Sequence, residues 1–246
     1  MTVRAEKRLS NGFYLLGAYT WSHAIDLGGT DEFSASSALF KILDKGNSTF
    51  DVRQRLVLSY IYELPFGSGK RFLSGTPGVV GRLIGGWQFN GITTFSTVHY
   101  QTAGLPIDWP NLGAFSSSRP DQFVGPYPGN KNYNNWLNIN AFVFPGCPVG
   151  VFNPTPKNCP NPIHVQGNSA RNSLESPGHN NWDFSLTKNT RISERTHLEF
   201  RAEFFNGWNH TQFGPPNTGL TPGQFGRITG LLASPRQVQF ALRLVF

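Results

Sequence analysis

Charge is scarce in this sequence. Asp, Glu, Lys and Arg make up 14% of the 246 residues, where a soluble domain carries about 25%. Long apolar runs are also missing, and without one of about 18 residues a membrane-spanning helix is excluded. No secretory signal peptide opens the chain, because Met1 is followed at once by TVRAEKRL, which already alternates as a strand does. The six histidines are dispersed, with no His-x-x-x-His spacing and no Ser/His/Asp grouping. The GSGK stretch at residues 67–70 lacks the spacing of a phosphate-binding loop. These absences argue against an enzyme, a cofactor and a metal.

Cysteine is nearly absent too. Cys147 and Cys159 are the only two, close together in a Pro/Gly/Asn-rich segment, and they read as a local disulfide. Such a small loop contributes about 3 kcal/mol. A metal site would need further ligands, and His164 alone is thin support. The net charge of +7 could suit nucleic acid, but the basic residues are scattered at strand spacing and at turns, so none is expected as a partner.

What is abundant is aromatic: 14% of the chain, with 21 Phe. Few charges and many aromatics suit a surface that meets lipid. The tail PRQVQFALRLVF shows how they are used. Val238, Phe240, Leu242, Leu244 and Phe246 fall on one side of a strand; Gln237, Gln239, Ala241, Arg243 and Val245 fall on the other. Alternation that runs to a terminal Phe is the closing-strand pattern of outer-membrane β-barrels.

Earlier segments repeat the pattern. Val3, Ala5 and Leu9 alternate with Arg4, Glu6 and Arg8, and an Asn-Gly turn follows. A second strand covers residues 13–25 and a third 50–64, where Leu56, Leu58, Tyr60 and Tyr62 oppose Arg53, Arg55, Ser59 and Glu63. A short helix is expected over 77–86, with Pro at its start and Gly at its end. The fourth strand, 87–102, changes phase: Trp87 and Phe89 disagree with Ile92, Val98 and Tyr100, which a bulge near Gly91 would reconcile. Two more strands place Trp182, Phe184, Leu186, Leu198, Phe200, Ala202 and Phe204 opposite Asp183, Ser185, Thr187, Glu199, Arg201 and Glu203.

The fold class is therefore all-β: an antiparallel up-and-down barrel segment of about seven strands. Short or moderate connections (10–12, 65–86, 193–195) alternate with long ones (26–49, 103–179, 209–234), as periplasmic turns alternate with external loops. Glu199 and Glu203 share a face with Arg201 between them, which reads as a charge-balanced wall and not as an acid/base pair. Arg53, Arg55, Glu199, Arg201, Glu203 and Arg243 are expected to face the lumen, since an arginine in mid-bilayer costs about 2–4 kcal/mol. Trp21, Tyr60, Tyr62, Trp87, Trp182 and Trp208 read as interfacial girdle residues. Asp26, Asp31 and Glu32 read as a solvated acidic loop and not as a calcium site.

The blocks GFYLLGAYTWSHAID, DVRQRLVLSYIYELPFGSGKRF, GGWQFNGI, GNSARNSLESPGHNNWDFSLTKN and RAEFFNGWNHTQFGPPN, taken in order, resemble the C-terminal barrel of Oar-like TonB-dependent receptors over nearly the whole chain. The resemblance implies a barrel of about 22 strands preceded by a plug. Residues 1–246 would be its C-terminal part, with plug, TonB box and signal peptide absent. It also implies the outer membrane of a Gram-negative bacterium, uptake of a bulky extracellular solute, and contact with TonB only through the plug. Phe240, Leu242, Leu244 and Phe246 would be the signal read by the barrel assembly machinery. The alternative is a soluble or surface-attached β-rich binding or adhesion protein. A membrane segment should form an open sheet with one exposed apolar side and two unpaired edges; a soluble protein should turn its apolar rows onto a second sheet.

Overall fold

The computed structural model describes residues 1–27, 44–76, 78–97, 99–111, 118–159 and 165–246. Seven strands form one sheet: β1 (Thr2–Ser10), β2 (Phe13–Trp21), β3 (Gln54–Glu63), β4 (Trp87–Ser96), β5 (His179–Arg191), β6 (His197–Phe205) and β7 (Gln237–Val245). Their spatial order is their chain order, and every neighbouring pair is antiparallel. β1 and β7 do not pair with each other, so the sheet is open.

Local chemistry closes the short connections. Asn11 and Gly12 have φ of 54° and 76°, the two positive values that a two-residue hairpin turn of this twist requires. Between β5 and β6 the N–H groups of Ile192 and Ser193 both donate to the carbonyl of Thr196. Between β3 and β4 stands α1 (Gly78–Ile84), which ends where Gly86 takes φ 78°. These three connections share one end of the sheet, the turn end. The long ones, 22–53, 97–178 and 206–236, share the other.

Register sorts the side chains. Leu15, Tyr60, Gly91, Phe184 and Phe204 lie in one row across five strands, and Leu16, Ser59, Ile92 and Asp183 in the next. The first side of the sheet is mainly apolar and the second mainly polar. Among the described residues no second sheet covers the apolar side: on β7, Phe240 is 67% and Leu242 68% exposed. Among the described residues the buried apolar core lies almost wholly in the long connections, and Ala202 is its one member from the sheet.

The phase change expected in the fourth strand does not occur. β4 keeps an unbroken register against both neighbours, ends at Ser96, and has no bulge at Gly91. Trp87, Phe89 and Phe95 hold the apolar side, and Ile92 sits on the polar side opposite Asp183. Val98 lies outside the described residues. Gly91 occupies an apolar-side position without a side chain because the ring of Tyr60 lies there, stacked on Phe89 at 5.8 Å. A Cβ on Gly91 would come 2.4 Å from that ring. The second strand is also shorter than expected, ending at Trp21, and the third starts at Gln54.

Gly91→Ala should lower stability by about 1–3 kcal/mol in a urea titration of the micelle-bound chain, because the ring must leave its stack. In a Tyr60→Ala background the same substitution should cost far less. Equal costs in the two backgrounds would show that the ring is not what the glycine accommodates.

Candidate functional site

On the polar side, β6 carries Glu199, Arg201 and Glu203 in a row. Arg201 donates to Glu199 Oε1 at 2.7 Å and lies 3.5 Å from Glu203 Oε1. Register sets Arg243 of β7 directly beside Glu199. Next to them Asn90 donates weakly to Ser185 and Thr187, both at 3.4 Å. Gln88, Asn90, Ser185, Thr187, Asn189 and the three charged residues together line a shallow groove. Arg201 bridges both carboxylates, and Arg243 adds a second positive charge beside Glu199. Ion pairs this open contribute under about 1 kcal/mol each, and the wall offers amide, hydroxyl and ionic contacts to a polar solute. Arg55 shares this side, paired in register with Thr20 and Ser96.

Arg53 does not belong to the wall. β3 begins one residue later, so Arg53 lies beyond the ladder and turns into the loops. Its guanidinium meets Asp51 at 3.1 Å, Asn47 at 3.1 Å and His23 at 2.9 Å, and stacks over Tyr100 at 5.4 Å. Asp51 is fully buried and accepts the Ala24 N–H at 2.9 Å. Asp26 is likewise a structural partner: it pairs with Arg171 and accepts the Ser48 hydroxyl. Asp31 and Glu32 lie outside the described residues, as does His164.

These bonds belong to a packed cap at the loop end, which the sequence pattern did not reveal. Asn47 and Asn172 exchange side-chain-to-carbonyl bonds of 2.9 and 2.6 Å, tying the 22–53 connection to 97–178. Arg171 reaches the Asp44 carbonyl at 2.6 Å. The third connection joins through Leu220 N–H to Gly104 carbonyl and Trp136 N–H to Gly226 carbonyl, each 2.8 Å. Between them Leu105, Leu137, Phe142, Phe144, Leu174, Leu220 and Phe225 form a dry core. Cys147 and Cys159 are bonded beside it. On the outer side Lys131 sits 3.6 Å over the Tyr127 ring and 5.5 Å from that of Trp136. Burial raises the Tyr127 and Tyr100 hydroxyls above their ordinary value, with Arg53 partly opposing it at Tyr100, and burial lowers the guanidiniums of Arg119 and Arg171.

The apolar side has its own polar details. Trp21, Trp182 and Trp208 mark its loop end, with Trp182 and Trp208 6.5 Å apart, and Tyr62 and Trp87 mark its turn end. Tyr60 stands between those rims, over Gly91, and is not a girdle residue. Two lysines occur on this side, both at the turn end. Lys7 donates to the Ser10 and Phe13 carbonyls at 3.3 and 3.1 Å, and Lys188 donates to three carbonyls at the end of α1. Phe240, Leu242 and Leu244 project from β7, and Phe246 follows it almost fully exposed. Among the described residues no His/Cys/Asp/Glu group could hold a metal ion.

A family model described as "Outer membrane beta barrel domain" matches residues 1–239. No curated protein and no solved structure matches the chain.

Reduction of the disulfide should release about 3 kcal/mol from the cap alone. The Cys147→Ser/Cys159→Ser chain should be cut faster by protease at residues 148–158 while the far-ultraviolet signal of the sheet persists; simultaneous loss of the sheet would overturn this separation. Because burial raises the Tyr127 hydroxyl, its stabilising effect is complete below the ordinary phenol pKa of about 10 and is lost as pH climbs through the raised value. A phenolate absorbance titration should show this, with Tyr127→Phe removing a step from its most alkaline part.

Proposed function

Because the chain belongs to the family of outer membrane beta barrel domains, we propose that it forms the wall and outer mouth of a TonB-dependent, Oar-like receptor in a Gram-negative bacterium. The family places it in the outer membrane. The apolar side faces lipid, the polar side faces the lumen, and the cap lies outside the cell. Turns gathered at one end and long loops at the other support this orientation.

One observation carries the reading: a predominantly apolar side, framed by Trp and Tyr, that no second layer covers among the described residues. A soluble binding protein would fold that side onto another layer, since leaving it in water forfeits about 25 cal/mol per Å2 of apolar surface. The TonB-dependent, Oar-like assignment is supported by the sequence blocks in their family order. Passage of a bulky solute fits a wall of neutralised charges and amides, and solute selection fits the cap. TonB would act through a plug domain. The barrel assembly machinery would read the strand of Phe240, Leu242 and Leu244 that leads to Phe246. In lipid the outer edges of β1 and β7 need further strands, because an unpaired backbone group there costs several kcal/mol.

Leu242→Arg and Ala241→Arg put the same charge on opposite sides of β7. Leu242→Arg should destabilise membrane-inserted protein by about 2–4 kcal/mol in urea titrations on vesicles, while Ala241→Arg should have little effect. Equal losses, or the reverse order, would exclude a lipid-facing apolar side. Cross-linking of the full receptor in its host should recover TonB, and its absence would remove the TonB-dependent assignment while leaving the barrel.

A further inference from the structure

The connection between β3 and β4 carries apolar side chains that are exposed among the described residues. Phe66, Phe72 and Leu73 are exposed in its turn, and on α1 Val79 is 70%, Val80 54% and Leu83 62% exposed. Residues 64–86 contain Lys70, Arg71 and Arg82 and no acid. In a turn that simply met the periplasm, six exposed apolar side chains would be a liability.

The position of α1 is set by two groups from the apolar side of the sheet. Lys188, which register places on that side between Trp87 and Phe200, sends its Nζ to the carbonyls of Arg82 and Leu83 at 2.9 Å and Gly85 at 2.5 Å. The first two belong to the last turn of the helix, where carbonyls lack intrahelical partners, and the third follows it directly. Trp87 donates Nε1–H to the Leu83 carbonyl at 3.0 Å, and Lys188 Nζ lies 4.8 Å from its ring centroid. Behind the helix, Gly67 approaches so closely that a Cβ there would stand 2.5 Å from Gly85 Cα. The lysine therefore neutralises the helix end and hides its own charge, as a cation does where hydrocarbon gives way to headgroups. The helix is held at the rim of the apolar side and continues its surface.

We infer that α1 and the turn before it form a foot embedded in the adjoining phospholipid leaflet, with Val79, Val80 and Leu83 among acyl chains and Arg71 and Arg82 at anionic headgroups. This rests on the apolar side of the sheet facing lipid. The occupant is lipid and not a protein, because the exposed residues extend a lipid-facing surface and Arg71 and Arg82 add positive charge beside them, whereas Lys70 is paired with Glu63 at 2.6 Å.

The test uses the full chain inserted into phosphatidylethanolamine/phosphatidylglycerol vesicles, labelled with NBD at single introduced cysteines. The native pair is bonded and does not label. Val80→Cys and Leu83→Cys change only exposed side chains, Ser68→Cys is a polar control in the same turn, and Leu242→Cys reports on the sheet. Labels at 80 and 83 should emit to the blue of the label at 68 and be quenched by doxyl lipid and not by aqueous iodide. Lys188→Met should free the foot, reducing lipid quenching at 83 while leaving it unchanged at 242. If the label at 242 is in lipid and those at 80 and 83 are quenched by iodide, the foot does not exist. If the label at 242 is itself reached by iodide, the lipid-facing sheet and the foot fall together.

Discussion

A strand throws its side chains alternately to two sides, and that geometry governs this molecule. A sheet between hydrocarbon and water can serve both only if every strand keeps its apolar residues in the same phase. All seven do so for most of their apolar residues, and the register aligns these into common rows. The backbone adds a second demand, since N–H and C=O groups in lipid must find partners in neighbouring strands. Inner strands meet it within the chain; β1 and β7 meet it on one edge each.

The two solvents explain why the protein core lies where it does. Apolar side chains need each other only where water is the alternative. On the sheet Phe240 and Leu242 stay open and Ala202 is the single deeply buried apolar residue among those described, as the proposed lipid-facing orientation requires. At the loop end water surrounds the chain, and there Phe142, Phe144, Leu174 and Leu220 are completely buried. Several polar groups enclosed with them are bonded: Asp51 to Ala24 and Arg53, and Asn172 to Asn47 and Thr102. Each end of the sheet thus has its own device: a covalently tied cap at the loop end, and at the turns two lysines that spend their charge on backbone carbonyls.

Residues whose role depends on strand parity were legible from sequence. Glu199, Arg201, Glu203 and Arg243 lie on the polar side in register, and Phe240, Leu242 and Leu244 on the apolar side. Arg53 fits the same parity and yet leaves the wall, because parity does not say where a strand begins, and Asp51, His23 and Asn47 draw it into the loops. The bulge expected at Gly91 failed for a related reason. A glycine in an apolar row looks like a break in phase until the ring of Tyr60, from another strand, is seen to fill the space. Lys188 gave no signal, since its partners are main-chain carbonyls of residues far away in sequence.

From the amino-acid order alone came the strand type, their number, the two sides of the sheet and the alternation of short turns with long loops. All of these are periodic and local: a residue and its second neighbour carry the information. Tertiary structure decided that the long loops pack into one cap, that Arg53 and Asp26 serve it, and that α1 rests against the apolar side. Those outcomes are set by contacts such as Asn47 with Asn172 and Lys188 with Leu83. Such pairs follow no period, and their energies exist only once the sheet has brought distant segments to the same end.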